Sequence, residues 1–422
     1  MQAMKDSGAK WIGKIPVHWQ SDKLKYHLKR KEPKNPGDMT VLSLYRELGV
    51  IPKDSRDDNH NQTSEDTSKY KYVKPGNFVV NKMKAWQGSV AVSDYEGIVS
   101  PAYYVYEFTD NSFDKRYFHH LLRGCYKDEF MRLSGGMRVG QWDLSSEDLD
   151  NTLGVIPPIE EQKKIAEFLD AKCSEIDALI ADIQTQIETL EQYERSTIAE
   201  AVTKGINHNP DMKDSGYEWI GKTPSTWNFI KGKYLFAQRN SKGNNINLQL
   251  LSPSQKFGVV PQTLLEELTT QNVVKVKEDT DLTTFKTIHV GDFCISLRSF
   301  QGGFEYCRYE GVVSSAYQVF YPTAEICDDY YRFLFKDKGF IEKMNSYTIS
   351  FRDGKNIAFS DFGNTYIPYP PIEEQKEIAK YLCDKTAEID LCVESKKEQI
   401  ATLEAYKKSI IFESVTGKQE VM

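Results

Sequence analysis

No uninterrupted run of about 18 apolar residues occurs in the chain, so no membrane-spanning helix is expected. No apolar stretch follows the opening MQAMKDSGAK, so no secretory signal is visible. No C-x-x-C pair exists. The seven cysteines form an odd, scattered set, which argues against a disulfide framework or a zinc site and for reduced thiols in a cytoplasmic protein. The seven histidines are also scattered, apart from the pair His119–His120 on a predicted helix. Adjacent helical residues point roughly 100° apart, so that pair is poorly placed to share a metal. What remains is a chain of 422 residues, long enough for two or three domains with sizeable cores.

One stretch invites a nucleotide reading. GYEWIGKT (216–223) fits the phosphate-loop pattern G-x-x-x-x-G-K-[ST]. Its surroundings do not. A phosphate loop leaves a buried strand and opens a helix, whereas MKDS precedes this string and Pro224 follows it. Trp219 and Ile220 are bulky where backbone must approach phosphate. The same phrase occurs earlier as GAKWIGKI (8–15), with Ile15 at the metal-contacting position. The plainer reading is a surface turn with a tryptophan tucked into a core.

The recurrence extends much further. MKDSGAKWIGKIPVHWQ (4–20) and MKDSGYEWIGKTPSTWN (212–228) agree at eleven of seventeen positions. IPPIEEQKKIAEFLD (156–170) and YPPIEEQKEIAKYLC (369–383) agree at ten of fifteen. Weaker matches lie between: GIVSPAYYVYE (97–107) with GVVSSAYQVFY (311–321), and AWQGSV (85–90) with SFQGGF (299–304). The chain is a tandem duplication of a unit of about 210 residues, too long and too few for a solenoid.

Each unit divides into a mixed, strand-rich part and one long helix. GNFVVNKMK, IVSPAYYVYEF, GDFCISLR and VVSSAYQVFY read as strands. Residues 117–133 and 330–344 read as helices. The tyrosines of the first strands, Tyr103, Tyr104 and Tyr106, are assigned to packing. P-P-I-E-E suits a helix start, because early proline lacks an N–H that would go unpaired and glutamate favours the positive dipole end. Gly205 and Gly417 mark the expected helix ends. Ile165, Leu169, Ile176, Ile180, Ile183, Ile187, Leu190 and Ile198 step mostly by three and four. Ile378, Leu382, Ile389, Val393, Ile400, Leu403 and Ile410 repeat the pattern. A helix of about 40 residues would run roughly 60 Å. Such a helix could simply cover a core, but its stripe needs a partner, and the cheapest one is the other helix, packed antiparallel. The expected fold is therefore α+β: two pseudo-symmetric globular domains, 1–155 and 206–368, held apart by two long antiparallel coiled-coil helices, 156–205 and 369–422.

Net charge is −7, which on its face discourages a nucleic-acid partner. The acid is concentrated in the helical segments, net −6 for 156–205 and −3 for 369–422, while 1–155 carries +2 and 206–368 carries 0. Balanced domains can still present a basic face. Two unlike heads on a fixed spacer could read two half-sites of B-DNA, whose equivalent faces recur about every 34–36 Å. Because the heads differ, the target would be asymmetric.

The framing phrase D-S-G-x-x-W-I-G-x-x-P-x-x-W, the helix start P-P-I-E-E-Q-K-x-I-A, the E-I-D within each helix and the two-unit order resemble the specificity subunit of type I restriction-modification systems, over essentially the whole chain. The resemblance implies two target recognition domains that bind double-stranded DNA, each followed by a spacer helix. It implies two modification (methyltransferase) subunits as partners, joined by restriction (motor and nuclease) subunits when the complex cleaves. Methyl donor, ATP and Mg²⁺ would belong to those partners, leaving this chain without catalysis and without a cofactor of its own. The chain has no N-P-P-Y or D-P-P-Y motif, no F-x-G-x-G methyl-donor loop and no convincing helicase motor.

Base readout requires Arg or Lys for guanine and Asn or Gln for adenine, and phosphate contacts require Lys, Arg and hydroxyls. The first head offers Lys82, Lys84 and Gln87 beside Trp86, and Arg138 and Gln141 in a Gly-rich loop. The second offers Arg298, Ser299 and Gln301, then Arg352, Lys355 and Asn356. Each is equally readable as a solvated side chain or a turn residue. Glu160, Glu161, Glu373 and Glu374 suit dipole capping or protein contact, and the resemblance inclines them towards docking the modification subunits. A coiled-coil scaffold with paired protein-binding heads and a stand-alone nuclease are the competing readings.

Overall fold

A computed structural model describes residues 3–46, 48–55, 63–64, 66–136, 142–207, 210–242, 248–269, 282–295, 303–348 and 357–421. It forms two compact units that do not follow chain order. One comprises Met1–Ile183 with Lys397–Met422, the other Gln184–Lys396. Division by chain order gives each head its own following helix. The compact units instead take half of each long helix, so the C-terminal residues complete the first head.

The framing phrase folds the same way in both units. Met4–Asp6 pairs antiparallel with Lys14–Pro16, and Met212–Asp214 with Lys222–Pro224. The D-S-G triplet writes the turn. Asp6 and Asp214 accept the N–H groups of Gly8 and Gly216 at 2.8 and 2.9 Å. Ser7 and Ser215 accept those of Ala9 and Tyr217. These are side-chain turns of the kind short polar residues favour. The tryptophans are tucked inward as expected: Trp11 lies edge-on to Tyr126 at 4.3 Å between ring centroids and Trp219 to Phe340 at 5.8 Å. In the phosphate-loop lookalike, Lys222 and Thr223 lie on a strand and Thr223 is buried. No helix opens there.

At the centre of each head is a four-stranded antiparallel sheet. In the first head the order is Leu28–Lys31, Tyr103–Phe108, Phe78–Asn81, Val90–Val92. In the second it is Phe236–Arg239, Gln318–Pro322, Phe293–Ile295, Phe304–Tyr306. Phe78, Val79 and Val80 are all buried, because successive side chains alternate between two covered faces. Phe78 and Val80 join the larger core under the helices. Val79 packs with Val105, Leu42, Leu44 and Val50 beneath the hairpin Leu42–Tyr45/Gly49–Pro52. The second head repeats the scheme, with Phe236, Phe293, Phe304 and Phe320 on the larger side.

The two segments expected as single helices are each broken in two. Lys115–Cys125 and Lys127–Leu133 meet at Tyr126, whose fully buried ring packs on Trp11 and Phe130. Asp328–Leu334 and Lys338–Asn345 are separated where Asp337 caps the second helix by accepting from Phe340 N. A capping carboxylate restarts the helix instead of continuing it.

Ile159–Lys204 and Ile372–Val415 form the two long helices, with 46 and 44 residues. Within the first unit, Ile165, Ala166 and Leu169 share a core with Val415, and Asp177 receives Lys407 Nζ at 2.6 and 2.7 Å. Within the second, Ala201 and Val202 share a core with Ile378, Ala379 and Leu382. Early residues of one helix meet late residues of the other in both units, so the pairing is antiparallel as expected. Ile176, Ile389, Val393 and Ile410 are buried in the seam, while Ile180, Ile187 and Leu190 are half-covered. A two-helix seam shields only one side of each stripe.

Candidate nucleic-acid interface

The repeated phrases meet at one junction per unit. Trp19 Nε1 donates to Glu161 Oε2 at 2.8 Å, and His18 Nε2 contacts Glu161 Oε1 at 2.9 Å. In the second unit Trp227 is wholly buried, its Nε1 has no hydrogen-bond partner among the described residues, and Glu374 lies beside Gly205. The next residue along is Gln162 or Gln375, both fully buried. Gln162 Nε2 donates to Pro157 O and Ser112 O, while its Oε1 accepts from Asp114 N. Gln375 Nε2 donates to Pro370 O, and its Oε1 accepts from Cys327 N. Asp114 and Cys327 are the N-cap residues of the helices that begin at Lys115 and Asp328. The repeat P-P-I-E-E-Q is thus a tie between the long helix and the head. Glu161 is held by Trp19 and His18 of its own unit and its side chain remains 41% exposed. Glu160 and Glu373 project outward, each paired with the lysine three residues on.

Beside the first sheet, the two stretches singled out in the first head converge. Gly135 and Asp143 exchange backbone hydrogen bonds at 3.3 and 3.0 Å. That closure sets Asp143 against Lys82, Oδ2 to Nζ 2.8 Å, and Trp142 against Trp86, 5.5 Å between ring centroids. The Asp143 carboxylate raises the Lys82 pKa, mainly by accepting its hydrogen bond. Lys84 is exposed. Gln87 Oε1 accepts from Arg46 Nη2 at 3.1 Å, which brings the tip of the hairpin into the same place. A cavity of about 380 Å³ opens between the hairpin and this loop, lined by Asn81, Trp86, Tyr103, Lys53, Lys84 and Gln87 among others. Asn81 is buried, with Oδ1 lacking a partner among the described residues. The arrangement can present cations to phosphate and amides to base edges from one surface.

Arg138 and Gln141 of the first head lie outside the described residues, as do Arg298, Ser299, Gln301, Arg352, Lys355 and Asn356 of the second. The anchors of the second-head stretches are described and are adjacent. Ile295 pairs with Gln318 in the sheet. Gln318 Nε2 donates to Ile357 O, and Phe359 N donates to Gln318 Oε1. The described residues that flank the two stretches, Ile295 and Ile357, therefore meet at one glutamine.

Among the tyrosines assigned to packing, Tyr106 is buried, and Tyr104 carries Arg30 over its ring at 4.6 Å. Among the described residues no cluster of three or more His, Cys, Asp or Glu could hold a metal. His119 and His120 do not act together: His120 bonds Asp170 at 2.7 Å, and burial depresses the pKa of both, His119 to about 3. Sequence reasoning missed Arg46, Lys53 and Asn81. Arg46 sits at the tip of a hairpin without a motif and Lys53 directly follows its second strand, and only the strand pairing brings them to the loop at 81–89. Asn81 was visible as the polar end of an apolar strand.

The model of the type I restriction modification DNA specificity domain matches residues 25–189 and again residues 201–405. Among relatives, the putative type I restriction enzyme MjaX specificity subunit of Methanocaldococcus jannaschii is 26% identical over 85% of this chain and 81% of its own. The MjaVIII specificity subunit of the same organism is 24% identical over 97% and 94%. In fold, the chain resembles one from a solved type I R-M system studied for complex assembly and conformational transition, with a TM-score of 0.71, 15% identity and coverage of 96% and 99%. It also resembles the HsdS subunit from Thermoanaerobacter tengcongensis, with a TM-score of 0.53, 15% identity and coverage of 96% and 98%. With two domain matches that together span most of its length, the chain belongs to the type I restriction modification DNA specificity family and carries that domain twice in tandem.

Proposed function

We propose that this chain is the DNA sequence-specificity subunit of a type I restriction-modification complex and reads a bipartite, asymmetric target. Each recognition domain takes one half-site. The observation that carries the reading is the paired domain match on two units of one fold whose sheet-edge loops differ in sequence. In the first unit the reading residues are Lys82, Lys84, Gln87, Arg138 and Gln141, with Arg46 held by Gln87. In the second they are Arg298, Ser299, Gln301, Arg352, Lys355 and Asn356.

The chain supplies recognition and assembly, and its partners supply the chemistry. Two modification subunits dock per chain, and Glu160, Glu161, Glu373 and Glu374 at the matching helix starts are the residues assigned to that contact, Glu160 and Glu373 being the more exposed. Methyl donor, ATP and Mg²⁺ enter with the modification and restriction subunits. Among the described residues no helix is long and apolar enough to cross a membrane. The complex is assigned to the cytoplasm, where its DNA and its reduced thiols belong.

Mapping methylated adenines in DNA exposed to the reconstituted methyltransferase complex tests the reading. An interrupted, asymmetric sequence is expected. Replacing residues 20–150 with the head of another specificity subunit should change one half-site and leave the other. A change in both half-sites, or methylation without sequence preference, would refute it.

A further inference from the structure

A second basic feature lies outside the reading loops and occurs in both units. K-L-K-Y at 23–26 and K-G-K-Y at 231–234 each follow a strand, Gln20–Lys23 or Asn228–Lys231, that pairs with the strand entering the long helix. Each forms a single helical turn. The flanking Leu24 and Leu28, or Gly232 and Leu235, are buried, so the second lysine and the tyrosine face outward. Tyr26 is 60% exposed and Tyr234 66%, so neither ring contributes much to a core.

The surrounding bonds are duplicated as well. Lys25 Nζ donates to Asn151 Oδ1 at 3.0 Å and lies 5.5 Å from the Tyr26 ring centroid. Lys233 Nζ donates to Asn364 Oδ1 at 3.3 Å and lies 5.5 Å from the Tyr234 ring centroid. Asn151 Nδ2 is fixed on Glu147 O at 2.9 Å, and Asn364 Nδ2 on Ser360 O at 3.0 Å. The first lysine of each turn joins the patch, Lys23 at 3.4 Å from Asn151 Oδ1 and Lys231 at 5.3 Å from the Tyr366 ring centroid.

We propose that these two Lys-x-Lys-Tyr turns grip the phosphodiester backbone of duplex DNA, independently of its sequence. The inference rests on the specificity-subunit reading and extends it to a surface that reading leaves unused. Two ammonium groups, a phenol and an amide are the donor set that phosphate contacts use. An ammonium has three donors, so a lysine held by one asparagine oxygen keeps others for the ligand. Sharing is the deciding point. The two heads differ where they read bases, so a constellation kept in both serves a partner feature that does not change between half-sites.

The test uses the complete complex with its modification subunits, the mapped target duplex, an unrelated duplex of equal length and a series of salt concentrations. With K25A/K233A, affinity for both duplexes should fall by the same factor. The slope of log affinity against log salt should shrink by about 1.8, roughly 0.9 per lost phosphate contact. The methylated sequence should not change, and K25R/K233R should restore the slope. An unchanged slope, weakening confined to the mapped target, or loss of co-assembly with the modification subunits would each overturn the proposal, the last by making the turns a protein-docking surface. A wild-type complex with no preference for any duplex would instead refute the specificity reading itself.

Discussion

Tyr117 and Tyr330, 213 positions apart, show how one hydroxyl can join segments distant in the chain. Tyr117 Oη lies 3.2 Å from Val155 O and 3.1 Å from Val415 O. Tyr330 Oη donates to Val202 O at 2.9 Å. The last four carbonyls of a helix have no partner within it, and Val202 and Val415 both lie in last turns. Burial drives both phenols well above their ordinary pKa, so they remain protonated donors at any working pH. Tyr330→Phe strips a buried carbonyl of its donor and should cost about 1–3 kcal/mol. Tyr117→Phe should cost a similar amount in its own unit. Hydrogen exchange measured on each variant should show the loss of protection in the unit that carries the change. Uniform loss across both units, or none, would contradict the local role assigned to these hydroxyls.

At the scale of elements, the framing phrase seats the end of a helix. Gly417 follows the second long helix with φ 68°, and Gly205 follows the first with φ 76°. A Cβ on Gly417 would stand 2.4 Å from Pro16 Cγ and 3.0 Å from the Trp19 ring. On Gly205 it would stand 3.1 Å from Glu374 Oε1 and 3.4 Å from the Trp227 ring. Both positions favour glycine for backbone reasons, a preference worth about 1–2 kcal/mol. Only Gly417 adds a collision with a rigid proline ring, since Glu374 can swing aside. Gly417→Ala should therefore lower the melting temperature more than Gly205→Ala, and equal shifts would show that the Pro16 contact does not count.

Those glycines, the helix starts and the stripe were legible because each is a local signal: a φ requirement, a missing N–H, a period of three and four. The tie between phrases was not. P-P-I-E-E-Q reads locally as dipole capping, and nothing nearby says that Gln162 reaches Ser112 and Asp114. The helix breaks at Tyr126 and Asp337 were also hidden, because a buried ring and a capping carboxylate override an apolar period that runs straight through them. For the candidate interface, residue type and place relative to a strand pointed to Lys82, Lys84 and Gln87. Arg46 joins them only through strand pairing that spans some forty residues of sequence.

At the scale of the whole molecule, the duplication is folded as an exchange. The first unit takes the end of the second long helix: Val415 enters its core and Ile411 packs against it. Lys418 Nζ reaches Ile12 O at 3.3 Å. The second unit takes the end of the first long helix through Ala201 and Val202. Each head is thus closed by a segment that belongs, in chain order, to the other repeat. The consequences for the two units are unequal, because one exchanged segment is internal and the other is C-terminal. Truncation after Tyr406 should leave the second unit intact, since its share of the second helix stops at Lys396. It should open the first unit by removing Val415 and the donor–acceptor pair with Tyr117. Amide exchange at Phe78–Asn81 should then accelerate by orders of magnitude while Phe293–Ile295 stays protected. Methylation should fail through loss of the first half-site, even though every residue assigned to read it remains in the chain. Retained protection at Phe78–Asn81 would mean that the first head closes without the C-terminal segment, and that the exchange adds nothing to its stability.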